Sequence, residues 1–438
     1  MSLSCHVRQR LNAPTSRIKN LSEYSRNLIY SDKLPIYMDP LENPFAPGAG
    51  SPPPELVGRD AILNQAHVAL HRLKVGRPAK SMILVGLRGV GKTVLLNRIR
   101  SIAEEDRFST LFVEAHENKP LPALLLPHLR QVLFALDAME NVSEKVKRGF
   151  RVLRSFIGGI KAKAKVGDLE LELGVDPEKG TADSGDLESD LSELFVAIAE
   201  AAADRGKAVA ICIDELQYLS EAELSALIMA LHRVAQRALP LIVVGAGLPQ
   251  IIALAGRSKS YAERLFDFPA VGPLASPDAI NALQVPVLKQ DVSFAEDAID
   301  EVLRVTEGYP YFLQQWGYEA WDVAAGPTIE LQDVQQATVR SIKELDQSFF
   351  RVRFDRLTPR EKEYLRALAE LGSGPRRSSD IAELFGVKVQ SVAPLRNGLI
   401  RKGMIYSPSH GDIEFTVPLF GEFMLRVMPS ATFKRGNA

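Results

Sequence analysis

The chain has 438 residues, which is too long for one ordinary hydrophobic core and predicts two or three domains. With 46% hydrophobic residues, 24% charged residues and a formal net charge of -1, it has the composition of a globular protein and is not a globally basic nucleic-acid binder. We predict no membrane span, no secretory signal and no disulfide framework from its two cysteines, and therefore a cytoplasmic location.

The beginning of the chain is rich in proline, above all between residues 31 and 54. Proline lacks a backbone donor and does not fit the interior of a helix or strand. We therefore predict that residues 1–54 form an extended tail that leads into the first domain. The segment Val57-Gly-Arg-Asp60 follows, and by itself it predicts only a capped turn before a helix at 62–73.

A glycine-rich motif follows the apolar run 81–85, which predicts a buried strand. It fits G-x-x-x-x-G-K-[ST], a loop whose backbone N–H groups and following helix favour a polyphosphate. A purely structural turn is the alternative, but the strand before the motif and the helix after it favour the phosphate site. The predicted nucleotide-binding residues are Gly86, Leu87, Arg88, Gly89, Val90, Gly91, Lys92, Thr93 and Val94, with Lys92 on the β and γ phosphates and Thr93 on Mg²⁺.

An insertion is predicted near residues 141–190. Its first part, 145–165, has eight Lys or Arg residues, no acid, and apolar residues at helical spacing. Such a helix packs its apolar side on the core, which we favour, or lies on nucleic acid or an anionic membrane surface. A hairpin at 163–173 and an acidic loop are predicted after it.

The apolar run 208–217 predicts a strand that ends in two carboxylates, Asp214 and Glu215. In a parallel sheet such side chains lie at the carboxyl edge, where ligands of open α/β folds bind. Downstream of a phosphate loop, Asp214 would orient Mg²⁺ and Glu215 would polarise the attacking water. A structural strand end is the alternative reading of the pair.

Further strands at 239–249 and 265–271 complete a predicted α/β fold, a P-loop NTPase whose parallel sheet has helices on both faces. The pattern after residue 273 is helical. We therefore predict an ATPase core at 55–272 and a helical lid at 273–348.

The last part, 349–438, predicts a winged helix-turn-helix from helices at 357–371, 378–385 and 390–402 and a two-stranded wing at 405–406 and 413–417. Its third helix would enter the major groove of duplex DNA. Pro394 is expected to shorten or kink that helix. A protein–protein joint is the alternative. The candidate DNA contacts are Arg376, Arg377, Lys388, Gln390, Ser391, Arg396, Arg401, Lys402 and His410.

Taken in order, these segments, together with 245–249 and Gly308-Tyr-Pro310, resemble AAA+ ATPases of the origin-recognition, archaeal-type and STAND groups. The resemblance implies that Gly58 and Arg59 lie beside the adenine, and that Gly308 and Pro310 belong to the turn through which the lid senses the nucleotide. It also implies that Arg264 is an arginine finger acting in trans within a homo-oligomer, unless it is an ordinary surface arginine.

The sequence departs from this group in two ways. Gly245-Ala-Gly247 stands where many relatives have a polar sensor, and the lid has no arginine that clearly matches the second sensor. We therefore expect a slow, switch-like, Mg²⁺-dependent ATPase that binds ATP and ADP and couples nucleotide state to DNA. A STAND-like signalling switch with a protein-binding winged helix is the main alternative, and a P-loop kinase is a weaker one.

Overall fold

The structure, a computed structural model, describes residues 38–48, 50–138, 143–163, 175–409 and 411–429. Its centre is a parallel sheet with the strand order β2-β3-β4-β1-β5. The strands β1, β3 and β4 are buried along their whole length, as expected for inner strands covered on both faces. The five strands are β1 (Ser81–Val85), β2 (Ser109–Glu114), β3 (Val209–Asp214), β4 (Leu241–Gly247) and β5 (Phe266–Asp267).

Eight helices surround this sheet in the described residues. One of them begins directly after the phosphate loop, and another follows β3. The helices are α1 (Asp60–Lys74), α2 (Lys92–Glu105), α3 (Leu121–Asp137), α4 (Glu144–Lys163), α5 (Leu187–Asp204), α6 (Glu221–Gln236), α7 (Gln250–Ser258) and α8 (Ala262–Leu265).

The two faces of the sheet have separate apolar cores because successive side chains of a strand point to opposite faces. Ile83 and Val85 of β1 belong to the cluster formed with α3, α4, α5 and α6. Met82 and Leu84 belong to the other cluster, with α1 and α2. This second cluster continues without a break into the last third of the chain, so the sheet and the carboxyl-terminal part share one core.

The basic helix α4 packs its apolar side against the protein. Val146, Phe150 and Phe156 are buried, and the guanidinium of Arg148 pairs with Glu178 and Glu200 at 3.1 Å each. This is the packing arrangement that the sequence favoured. The predicted hairpin at 163–173 lies outside the described residues apart from its first position, which ends α4.

Residues 273–348, which we call the lid, are helical apart from a two-stranded parallel sheet of β6 (Ser293–Phe294) and β7 (Thr328–Ile329). Residues 38–48 pack on the lid, where the indole N–H of Trp321 donates to the carbonyl of Asp39 at 3.0 Å. This part of the predicted tail is therefore a docked segment. The lid helices are α9 (Ser276–Leu288), α10 (Glu296–Thr306), α11 (Pro310–Val323) and α12 (Leu331–Gln347).

Residues 349–429, the C-terminal module, combine helices with the antiparallel sheet β8-β10-β9. Helix α16 continues through Pro394, so the predicted shortening is wrong: the ring removes only the N–H that would bond to the carbonyl of Gln390. The elements are α13 (Phe349–Asp355), α14 (Pro359–Glu370), β8 (Arg376–Arg377), α15 (Ser378–Phe385), α16 (Val389–Arg401), β9 (Ile405–Tyr406), β10 (Asp412–Phe415) and α17 (Phe420–Val427). Within the described ranges, none of the helices is apolar over a length sufficient to cross a bilayer.

Candidate active site

The loop between β1 and α2 needs its glycines for the backbone path. Gly89 and Gly91 have φ angles of 83° and 88°, a left-handed conformation that side chains disfavour. At Gly86 the restriction is space, because an added Cβ would lie 2.0 Å from the carbonyl oxygen of Val271. The chain therefore forms a narrow loop whose backbone lies close to the first turn of α2.

Lys92, the first residue of α2, is a buried cation. Its amine donates to the carbonyl oxygen of Leu87 at 2.7 Å, and only 9% of the residue is exposed. Burial lowers the pKa of Lys92 to about 8, although the charges of Glu215 and Asp214 act in the opposite direction. A buried amine of this kind is well suited to bind an anion that enters the loop.

Thr93 and Asp214 meet across the end of the sheet. The Thr93 hydroxyl donates to Asp214 Oδ2 at 2.6 Å, and the N–H of Glu215 donates to the other carboxylate oxygen at 2.8 Å. Burial raises the pKa of Asp214, and the neighbouring Glu215 adds to the effect. A hydroxyl beside a buried carboxylate fits a hard cation such as Mg²⁺. The described residues contain no cluster of three or more His, Cys, Asp or Glu around it, so phosphate and water oxygens would complete the shell.

Glu215 is the first residue after β3, and its backbone is left-handed, with φ 55° and ψ 39°. This conformation turns its carboxylate toward the phosphate loop, where Arg88 lies 3.4 Å away. The other carboxylate oxygen accepts a hydrogen bond from the amide of Gln217. Non-glycine residues in this region are uncommon, and functional sites are one of the places where they recur.

Gln217 is a site residue that the sequence did not suggest. Besides its bond to Glu215, its side-chain oxygen accepts the N–H of Leu248 at 3.0 Å. It thereby supplies a polar side chain at the end of β4, where the sequence offers only Gly245 and Gly247. The one available signal was its position two residues after the carboxylate pair.

A cavity of about 540 Å³ lies against the loop, between the sheet, the lid and the C-terminal module. The predicted residues Gly58, Gly86, Leu87 and Gly308 are not among its lining residues. Gly58 has a φ of +68°, and an added Cβ would lie 2.6 Å from the Asp278 carboxylate. Of the predicted site residues, its lining contains Arg59, Arg88, Gly89, Val90, Gly91, Lys92, Thr93, Val94, Glu215 and Pro310.

Arg59 is buried and supports the loop. Its guanidinium donates to the carbonyls of Val90 and Gly272 at 3.2 and 2.6 Å. Burial lowers the pKa of Arg59, and the nearby Asp278 offsets part of that effect. Its hydrogen bonds connect the phosphate loop to the segment that follows β5, so its side chain stabilises this part of the cavity wall.

Arg353, from α13, is a second residue that sequence patterns missed. Its guanidinium lies 3.9 Å from the ring centroid of Phe349, which stacks on Tyr311, and the N–H of Tyr311 donates to Gly89 at 3.1 Å. Among the described residues no carboxylate forms an ion pair with Arg353. Burial and then the charge of Arg88 lower its pKa to about 10. A cation without an ion-pair partner among the described residues therefore lines the cavity.

The C-terminal module touches the phosphate loop directly. The N–H of Arg88 donates to the carbonyl of Thr416 at 3.2 Å, and the guanidinium of Arg88 lies against Gly403, where an added Cβ would be 3.0 Å away. Thr416 is fully buried and its hydroxyl donates to the Gly403 carbonyl at 2.5 Å. Arg88 was predicted to bind nucleotide, but its N–H is occupied by the C-terminal module.

Arg264 is distant from this cavity. It lies on α8, just before β5, and the register of β5 with β1 pairs Phe266 with Ser81 at the opposite end of β1 from the phosphate loop. Its side chain is exposed. It therefore does not act on the Lys92 site of its own chain.

The predicted DNA contacts that the structure describes divide into three groups. Arg377, Lys388, Gln390, Ser391 and Arg401 are exposed. Arg376 and Arg396 are half-buried and donate within the module, to the Ser373 carbonyl and the Ser407 hydroxyl at 2.9 Å each. Lys402 pairs with the buried Glu361 at 2.7 Å, so it is engaged in the fold and is not a free contact. His410 lies outside the described residues.

The parallel sheet with its phosphate loop has the fold of a P-loop NTPase. Residues 55–244 match the family described as AAA ATPase domain. Residues 347–424 match a family described as Domain of unknown function (DUF8462). No curated protein matches the chain in sequence.

Solved structures are similar to this chain at low sequence identity. The Walker-type ATPase PABY2304 of Pyrococcus abyssi is 18% identical over 85% of this chain and 98% of that chain, with a TM-score of 0.51. The Aeropyrum pernix Orc1 protein in complex with DNA is 15% identical over 86% of this chain and 94% of that chain, with a TM-score of 0.43. The Thermotoga maritima RuvB Holliday junction branch migration motor is 14% identical over 86% of this chain and 96% of that chain, with a TM-score of 0.39. The first similarity shows the fold, and the other two are too distant to support an argument.

Proposed function

We propose that this chain binds Mg²⁺-ATP in the 540 Å³ cavity, hydrolyses it slowly, and couples its nucleotide state to duplex DNA through a C-terminal winged helix. One observation carries the proposal: Lys92, Thr93, Asp214 and Glu215 converge on a cavity whose phosphate loop is in contact with the C-terminal module. The family match of residues 55–244 supports the ATPase part.

Each polar residue has a distinct task in this proposal. Lys92 neutralises the β and γ phosphates, and Arg353 adds a second positive charge from the side of the C-terminal module. Thr93 and Asp214 hold Mg²⁺, which when bound shields the phosphate charge. Glu215 accepts the proton of the attacking water. Gln217 fixes the orientation of that carboxylate.

Slow turnover follows from the contacts of Glu215. Arg88 and Gln217 both engage its carboxylate, so fewer of its lone pairs are open to the attacking water. Since Arg88 also contacts the C-terminal module, movement of that module changes the freedom of the general base. The nucleotide shifts this equilibrium only by its different affinity for the two arrangements.

The proposed DNA face of the winged helix consists of Arg377 on β8 and the start of α16. Lys388, Gln390 and Ser391 are exposed there, and Arg401 is exposed at the end of the same helix. A helix that begins with exposed polar and basic side chains fits the major groove, while cations near it contact phosphates.

The test is phosphate release with and without duplex DNA, with Lys92→Ala as the control. Stimulation by DNA supports the proposal. Phosphate release no higher than that of Lys92→Ala would leave a protein that only binds nucleotide. A mobility-shift series over salt, with ATP, ADP and no nucleotide, tests the coupling, because phosphate-driven binding weakens steeply with salt.

The contact of Arg88 with Thr416 also favours a second candidate, a STAND-like signalling switch whose winged helix binds protein and holds the ATPase domain closed. In that case the exposed Arg264 would reach the nucleotide of a neighbouring copy after assembly. Indifference to DNA together with nucleotide-dependent oligomerisation, measured by light scattering, selects this candidate.

A further inference from the structure

One wall of the cavity comes from a segment before the ATPase domain. We call residues 43–53 the strap; all of them except Ala49 are described. The strap runs from the lid to the first turn of α2 and lies beside the proposed nucleotide. Its residues in the cavity wall are Ala46, Pro47, Gly48, Gly50, Ser51 and Pro53.

One end of the strap is anchored on helix α11 of the lid. The ring of Phe45, only 3% exposed, packs on Gly317, where an added Cβ would lie 2.6 Å from a ring carbon. The amide of Asn43 donates to the Tyr318 carbonyl at 3.1 Å, and the N–H of Ala46 donates to the side-chain oxygen of Gln314 at 3.2 Å. The lid helix thus has a glycine where the ring needs space and polar groups on either side.

The other end reaches the phosphate loop by packing alone. Gly50 has a φ of +73°, and a Cβ on it would lie 3.5 Å from the Thr93 methyl group. Across the described part of the chain, hydrogen bonds join the strap to α11 and none joins it to the phosphate loop. The two ends are therefore attached with different strengths.

We infer that the strap retains the nucleotide and that Phe45 is a positioning residue which makes this retention depend on the lid. This inference rests on the proposed nucleotide site. Because the strap is bonded to the lid and only packs on Thr93, a movement of the lid away from the sheet takes the strap with it and opens the cavity. Nucleotide release is then limited by the Phe45 anchor as well as by the phosphate contacts.

The experiment measures association and dissociation of N-methylanthraniloyl-ADP by stopped-flow fluorescence on the full chain. In Phe45→Ala we expect dissociation to accelerate at least about tenfold with a much smaller change in association, as is usual when a closing contact is lost. Gly326→Ala is the matched control, because it is also in the lid and has open space around it.

A second variant protects the test against misfolding. Asn43→Ala combined with Gln314→Ala removes the polar anchors while keeping the Phe45 ring, and it should accelerate dissociation in the same direction. Dissociation as slow as wild type in both variants overturns the strap inference while leaving the nucleotide site intact. Failure of the wild-type chain to bind the probe overturns the proposed function and the inference together.

Discussion

The N–H of Arg88 donates to the carbonyl oxygen of Thr416 at 3.2 Å, which joins the phosphate loop to a buried residue of the C-terminal module. The guanidinium of the same arginine extends to Glu215 and to the hydroxyl of Tyr218. One residue therefore links the phosphate loop, the proposed general base and the C-terminal module.

Gly403→Ala should loosen this contact. The new Cβ would lie 3.0 Å from the Arg88 guanidinium, and the residue has a φ of +65°. We expect faster hydrogen–deuterium exchange in the peptide that covers residues 86–91. Gly411→Ala is the control. Gly411 has a φ of +85° and open surroundings, so the substitution introduces backbone strain but no steric clash. Equal protection of the peptide in both variants would contradict the coupling.

The lowered pKa of Lys92 predicts proton uptake on ATP binding. At pH 7 the amine is already protonated, since its pKa is about 8. At a pH above this pKa, a large fraction of the protein molecules have a neutral Lys92 amine. A bound triphosphate favours the charged form and raises the pKa of the amine again. At about pH 8.5, calorimetry should give enthalpies that differ between buffers of different ionisation enthalpy, with uptake lost in Lys92→Met. Equal enthalpies in wild type would show that the amine does not titrate there.

Glu215→Gln should separate binding from hydrolysis. The amide keeps the size of the side chain but cannot accept the proton of water, so phosphate release should fall by about 10²- to 10⁴-fold. ATP affinity should change little, because Lys92 and Thr93 remain. Steady-state phosphate release and calorimetry on the same preparation make the comparison. Hydrolysis at the wild-type rate would exclude Glu215 as the base.

Arg353→Met should weaken ATP binding more than ADP binding. Loss of a charge-assisted hydrogen bond to the terminal phosphate costs about 1.5–3 kcal/mol, which corresponds to about 10- to 150-fold in affinity. Arg353→Lys keeps the charge and should retain part of the preference. A fluorescent-nucleotide competition assay measures both affinities. An unchanged ratio of ATP to ADP affinity would remove Arg353 from the phosphate site.

The DNA face can be tested by charge removal. Arg377→Ala combined with Arg401→Ala removes two exposed cations. The slope of log K for DNA binding, plotted against log salt concentration, should then be less steep by about two units. Lys402→Ala is the contrasting variant, since its amine is paired with Glu361. It should leave the slope unchanged and lower the melting temperature of the C-terminal module. A slope unaffected by the double substitution would favour protein contacts for this surface.

The sequence was most informative where one local pattern determines the structure. The apolar run 81–85 is β1, and Ser378–Phe385 forms a helix that ends at Gly386, whose φ of +63° suits glycine. The pairing of Thr93 with Asp214 was predicted as a shared role, because both positions lie at the carboxyl edge of adjacent elements.

The rest depends on contacts between distant parts of the chain. Arg353 and Phe45 have no motif, and their roles arise from packing across the lid. The hydrogen bond between Arg88 and Thr416 joins positions that are 328 residues apart in the sequence, and no local pattern predicts it. Lys402 looked like a free cation because its partner Glu361 is also distant in sequence.

The walls of the cavity have a consequence for synthesis on the ribosome. They include residues from Ala46 to Arg353, and the phosphate loop is further contacted by Thr416. A nascent chain that has emerged only as far as β5 has the lysine and the carboxylates but lacks the lid wall. The complete cavity therefore exists only once the chain has been synthesised beyond Arg353, later than the strands of the sheet.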